Sequence, residues 1–352
     1  MSRKPSRRDG AARLISNLLL FTVGLAALTL GADWLVRGAC RAAESVGMSP
    51  LVIGLTVVAF GTSAPELVVS VAAALRGQPG LAIGNIMGST VANVGLIVGL
   101  GAVIRPIDVH RRLLVRESPL LVFVLAIVMV LSYNGALGRL DGLALVTGFS
   151  IYLLFLMRWA LEERSSSPRL RGVGRSPGGD DEKPGVGAPA GEGRDGEARE
   201  PSGPRRKGLL EWLRVGAGLA LLLLGADWLV DSATAIARAF DVPEEVIGAT
   251  MVAVGTSLPE LASTVAAAVR GLGDVAVGNV IGSNVFNLGL VLGTAALVAP
   301  LQLPPRAVVR EVVPALIFCI ALIPLAYTGG RIQRGEGGLL LLGYAGFILW
   351  IL

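Results

Sequence analysis

Residues 54–66 read GLTVVAFGTSAPE, and residues 248–260 read GATMVAVGTSLPE. The two stretches agree at 9 of 13 positions and lie 194 residues apart. Working outward, LGADWLV at 30–36 returns unchanged at 224–230, and GNIMGSTVANVG at 84–95 returns as GNVIGSNVFNLG at 278–289, matching at 7 of 12 positions. The same shift carries Asp33 onto Asp227, Asn93 onto Asn287, and Arg116-Glu117 onto Arg310-Glu311 without an insertion. Self-similarity at a fixed spacing marks a chain built from repeats. The first apolar run, which follows a basic stretch and has the look of a signal peptide, is copied in the second half. It is therefore expected to belong to the fold.

Composition sets the environment. Of 352 residues, 53% are hydrophobic and only 16% charged, with a mean hydropathy of +0.68; soluble domains carry about 25% charged residues. The chain holds one histidine, His110, two cysteines, Cys40 and Cys319, and three lysines, Lys4, Lys183 and Lys207. A zinc site of His and Cys lacks ligands. A disulfide framework is excluded, and a histidine-based catalytic triad has a single candidate base. No lysine falls in an apolar run, which removes a buried Schiff base. The net charge of +5 arises mostly from arginines between apolar runs, where they set membrane topology, and not from a nucleic-acid-binding face.

Runs of about 17 to 25 apolar residues span a bilayer as helices. Ten are expected, at 14–35, 50–75, 80–103, 117–133, 140–161, 209–230, 245–269, 275–299, 311–328 and 336–352. The fold class is an all-α polytopic membrane protein of two five-helix repeats, 1–161 and 208–352, whose most similar parts lie at 50–103 and 245–299. Five spans per repeat is an odd number, so the second copy enters from the opposite side and the repeats are inverted. Transporters place their substrate site at such a repeat interface, near the midplane. Residues 162–207, rich in Gly, Pro, Ser and charge, are expected to form a disordered linker. Loops and flanks on its side carry seventeen Arg and Lys, against ten on the other side. That places the linker in the cytoplasm and both termini outside a cell membrane.

Glu66 and Glu260 lie deep in apolar runs, where an ionisable residue marks function. No Lys or Arg lies at comparable depth, so neutralisation falls to a proton or a bound cation. Thr62 and Glu66 are four apart and share a helix face, with Ser63 beside them. Pro65 frees the carbonyl of Gly61 and loosens the helix. Thr256, Ser257, Pro259 and Glu260 repeat this arrangement. In the following runs Ser89 and Asn93, and Ser283 and Asn287, are again four apart. Together these groups supply more than the six to eight oxygens that calcium takes, and the absence of sulfur or imidazole disfavours soft metals. Asp33-Trp34 and Asp227-Trp228 read as interfacial anchors, His110 as solvated, and the two cysteines as unpaired thiols.

The paired GTSAPE and GTSLPE motifs, each followed by GNIMGSTVAN or GNVIGSNVFN, resemble the two alpha-repeats of the sodium/calcium exchanger family, within the calcium/cation antiporters. The resemblance spans both halves with their spacing and ten-span layout. It implies alternating access between inverted repeats, sodium driving calcium out of the cytoplasm, no enzyme activity and no cofactor. Glu66 and Glu260 would be shared ligands. Thr62, Ser63, Thr256, Ser257, Ser89, Ser283 and Asn93, with the carbonyls of Ala59 and Ala253, would complete the sodium and calcium sites. Asn287 stands where some members carry an acidic residue, leaving one carboxylate fewer. H+ or K+ as a coupling ion stands beside sodium, and a calcium-binding sensor without transport is the reading from another class. The expected partners are inorganic cations and the lipid bilayer, with no nucleic acid and no obligatory protein partner.

Overall fold

The computed structural model describes residues 7–46, 48–110, 113–166, 204–240, 244–327 and 330–351. Its helices follow the apolar runs. They are α1 Arg7–Val46, the bent pair α2 Pro50–Thr62 and α3 Ala64–Leu75, α4 Pro79–Ile104, α5 Val115–Asn134 and α6 Arg139–Ser166. The second half repeats the series as α7 Pro204–Ala239, α8 Glu244–Val269, α9 Gly273–Val298, α10 Pro305–Leu325 and α11 Arg334–Ile351. Seven of these are long and apolar enough to cross a membrane alone, and the bent pair makes an eighth. The glutamate-bearing α8 and the short α11, which opens on Arg334 and Glu336, complete the ten.

Two helices outrun the expected apolar stretches. Expected at 14–35 and 209–230, they run instead as Arg7–Val46 and Pro204–Ala239. Beyond LGADWLV the hydropathy falls, but Ala-rich segments such as RGACRAAES keep a strong preference for helix. Residues 162–166 and 204–207, placed in the linker by composition, continue helices in the same way, while 167–203 lie outside the described residues.

The layout is concentric. Within their membrane stretches, α4 is 78% buried and α9 94%, whereas α1, α5, α6, α7 and α10 are mostly exposed and turn their leucines and valines outward to lipid. Two short antiparallel bridges tie the repeats at opposite ends. β1 Ile107–Asp108 pairs with β4 Arg331–Ile332, and β2 Ala136–Leu137 pairs with β3 Leu301–Gln302. Each repeat turns at the same place, on Gly77 (φ 69°) and Gly271 (φ 74°), a left-handed conformation that glycine adopts without penalty.

Lipid gives no hydrophobic drive between helices, so close approach of small residues holds them together. The long antiparallel pair α1 and α7 meets along a glycine seam. A Cβ on Gly31 would stand 2.4 Å from the backbone nitrogen of Leu222, one on Gly225 2.4 Å from Leu28 N, and one on Gly218 2.5 Å from Leu35 N. These atoms belong to backbone and cannot swing aside. Gly31→Ala or Gly218→Ala is therefore expected to cost about 1–3 kcal/mol and to lower the thermal midpoint of the purified protein. Gly346→Ala, which meets nothing within 4 Å, should leave it unchanged.

Candidate cation-binding site

The break in the first half falls at Ser63 (φ −84°, ψ 4°), between α2 and α3, which meet at 45°. Pro65 stands at the start of α3, where its missing N–H costs nothing. Glu66 falls in that first turn, at the positive end of the helix dipole. In the second half Pro259 sits inside a helix that runs continuously from Glu244 to Val269. There it removes the ladder bond to the carbonyl of Gly255. Just beyond, Asn93 and Asn287 each open a π-helical turn, Asn93–Val98 and Asn287–Val291. Such single π-turns concentrate at functional sites because they shift the hydrogen-bond ladder by one residue.

The two carboxylates are sealed from solvent, Glu66 at 1% exposure and Glu260 at 0%. Each is met by hydroxyls from the other repeat or from a neighbouring helix. Ser63 Oγ donates to Glu260 Oε1 at 3.0 Å, and Thr62 also reaches that carboxylate. Ser89 Oγ donates to Glu66 Oε1 at 3.5 Å and itself accepts from Ser257 Oγ at 3.2 Å. Thr256 likewise reaches Glu66. Among the described residues, no ion pair involves either glutamate.

Two residues that the sequence reading passed over hold this cluster in shape. Asn85 Oδ1 accepts from Thr256 Oγ1 at 3.2 Å while its Nδ2 donates to Ser70 Oγ at 2.9 Å. Its counterpart Asn279 accepts from Thr62 Oγ1 at 3.3 Å and donates to Ser263 and Thr264, each at 3.0 Å. Each asparagine thus fixes a threonine of the opposite repeat. The signal was present as the Gly-Asn dipeptide at 84–85 and 278–279; spacing from the glutamates alone did not single it out.

The remaining expected residues divide. Ser283, Asn93 and Asn287 are buried, and Asn93 Nδ2 donates to Asn284 Oδ1 at 2.8 Å. Ala59 is buried, and its carbonyl accepts the Ser63 N–H at 3.0 Å, with Thr62 Oγ1 3.4 Å away as an alternative donor. Ala253 occupies the equivalent place on α8, with its side chain outside the described residues. Exposed His110, free Cys40 and free Cys319 take no part in the cluster.

Buried polar atoms are normally paired, and leaving one unpaired costs about 1–3 kcal/mol. Here Glu66 Oε2, Glu260 Oε2, Asn93 Oδ1, Ser283 Oγ and Asn287 Oδ1 have no hydrogen-bond partner. Beside these five oxygens, the amide nitrogens Asn284 Nδ2 and Asn287 Nδ2 also lack a partner; the two carboxylates carry the charge that a hard cation would match. Among the described residues no group of three or more His, Cys, Asp or Glu forms. The donor set is two carboxylates surrounded by neutral oxygens.

The chain as a whole is similar to known proteins. The profile of the sodium/calcium exchanger protein family matches residues 16–158 and 210–352. The chain is 37% identical over 336 residues to the inner membrane protein YrbG of Escherichia coli K12, covering 94% of each chain. It is 33% identical over 356 residues to the sodium/calcium exchanger MaX1 of Methanosarcina acetivorans, covering 95% of this chain and 97% of that one. A solved structure of the sodium-calcium exchanger NCX_Mj superposes with a TM-score of 0.76 at 32% identity, over 96% of this chain and 99% of the other.

The asparagine clamps can be tested directly. Asn85→Ala removes the partners of Thr256 and Ser70, and Asn279→Ala those of Thr62, Ser263 and Thr264. Each is expected to cost about 1–3 kcal/mol, read as a lower thermal midpoint. Each should also weaken the stabilisation that added calcium confers, because the threonines lose their fixed direction.

Proposed function

From the premise that this chain belongs to the sodium/calcium exchanger family, whose members are membrane transporters and not enzymes, we propose that it exchanges sodium for calcium by alternating access. Calcium leaves the cytoplasm as sodium enters. The observation that carries this reading is the pair Glu66 and Glu260, buried together among hydroxyls and amides with no cationic side chain. Two carboxylates neutralise one divalent cation or two monovalent ones, so either cargo gives a neutral centre. A centre left with neither ion exposes two charges to the low-dielectric interior, which opposes reorientation until an ion binds. Exchange, in place of leak, follows from that asymmetry.

Calcium takes six to eight oxygens at about 2.3–2.6 Å. In this reading they come from Glu66, Glu260 and the carbonyls of Ala59, before the break at Ser63, and Ala253, on the continuous α8, joined by Thr62, Ser63, Thr256, Ser257, Ser89, Asn93, Ser283 and Asn287. Sodium uses the same oxygens in smaller groups. The neutral amide of Asn287 restricts the centre to two carboxylates, so the cargo charge is matched by Glu66 and Glu260 alone. The protein lies in the cell membrane, with the 162–207 linker in the cytoplasm where the positive charges concentrate and both termini outside. It acts on inorganic cations in the lipid bilayer, without a cofactor or an obligatory protein partner.

Proteoliposomes loaded with sodium and diluted into sodium-free medium containing calcium test the proposal. Calcium uptake should follow the sodium gradient and drop at least about a hundredfold in Glu66→Gln or Glu260→Gln, the scale expected when one partner of a buried charge set is removed. Equal uptake driven by a pH gradient without sodium would transfer the coupling to protons. Calcium binding with no flux under any gradient would reduce the protein to a sensor.

A further inference from the structure

The two repeats match in sequence but differ in posture, and the difference centres on one ion pair. Asp33 on α1 is held by Arg270, at the end of α8, and by Arg37 at 3.0 Å. Moving both acid and base by 194 residues leads from Asp33 to Asp227 on α7 and from Arg270 to Arg76 at the end of α3. Those two residues are apart: no ion pair joins them, and both line a cavity of about 870 Å³. Asp33 and Arg270 are half-buried, whereas Asp227 and Arg76 are exposed.

The apolar surfaces follow the same rule. Leu258, Ala262 and Ala266 of α8 pack against a buried cluster that includes Leu28, Ala32 and Leu35 of α1. Their counterparts Ala64, Val68 and Ala72 of α3 face the cavity, with Ala226 of α7 across it. The cavity descends to Pro65 and Thr256, beside the buried glutamates. One route toward the carboxylates is therefore packed shut with an ion pair at its mouth. On the symmetry-equivalent side a cavity reaches as far as Pro65 and Thr256, short of the buried carboxylates, with the equivalent acid and base separated.

We propose that Asp33–Arg270 and Asp227–Arg76 are alternating gate latches, one closed while the other is open, so that the two sequence copies of one acid–base pair time access to the site from opposite sides. This rests on the exchange reading, since it assigns the two states that exchange must visit. Second-repeat chemistry suits the role: Asp231 stands at the position of Arg37, so a closing Arg76 meets two carboxylates, with Arg238 of α7 also on the cavity wall. Neither latch touches the cation site, so each acts on the balance between states and not on ligation.

The test reads the open cavity directly. In a Cys40→Ala/Cys319→Ala background, Val68→Cys places one thiol on the exposed cavity wall. Its rate of reaction with a hydrophilic maleimide is followed in nanodiscs, which leave both faces accessible. Arg270→Gln weakens the closed latch and should slow labelling, while Arg76→Gln weakens the opposing latch and should speed it. Each shifts the ratio of states about fivefold, the scale of a partly exposed ion pair. Asp33→Asn and Asp227→Asn repeat the two opposite shifts from the acid side, which guards against one variant failing to fold. Changes in the same direction, or none in any of the four, would overturn the proposal. Labelling requires no ion flux, so a protein that failed the vesicle assay would still give a result here, and the two readings fail separately.

Discussion

Two carboxylates held in the middle of an apolar bundle without a cationic side chain are the constraint around which the rest is arranged. A lone ionised carboxylate deep in a low-dielectric medium is expensive, and evolution retains one there only for work. Glu66 and Glu260 have no arginine partner among the described residues; one would match their charge permanently and, in the proposed exchange, leave no place for cargo. Ser63, Ser89, Thr62 and Thr256 supply neutral dipoles in its stead. Hydroxyl dipoles stabilise negative charge without cancelling it, so in the proposed exchange a mobile cation still has a charge to balance.

Inverted repetition turns one glutamate motif into a single site. Because the second copy enters the membrane from the other side, the centres of α3 and α8 meet, and each repeat lends its hydroxyls to the other's acid. The central helices α4 and α9 are 78% and 94% buried within their membrane stretches and yet carry Asn, Ser and Gly along their lengths. In a soluble protein such a composition would belong at the surface. Here the peripheral leucines face lipid, and the interior is where polar groups find partners. Asn85 and Asn279 show the consequence: both ends of each amide are used, one on the opposite repeat's threonine and one on its neighbour helix.

Much of this was legible in the linear pattern. Ten apolar runs, the 194-residue spacing and the two buried glutamates all came from counting residues, and the helices lie where the runs do. The misplaced boundaries share one cause. Hydropathy marks where lipid ends, while α1 and α7 end where the backbone ladder ends, and Ala-rich polar turns carry helix well past the membrane. The structural asparagines were missed because their function depends on a residue in the other repeat, and spacing along one helix carries no information about that. Asp33 was assigned to the membrane interface by its Trp34 neighbour; its partner Arg270 lies 237 positions away in the chain.

By itself the sequence determined the membrane environment, the duplication and its inversion, and it pointed to oxygen ligands for the proposed centre. These follow from composition and periodicity, which depend on the kind of residue and its place in order. Tertiary structure decided which hydroxyl serves which carboxylate, where α1 and α7 touch through their glycines, and which of two equivalent acid–base pairs is closed. The last point has a plain physical reason. Two related sequence copies carry the same acid and base, and only the folded chain shows Asp33 closed on Arg270 and Asp227 parted from Arg76.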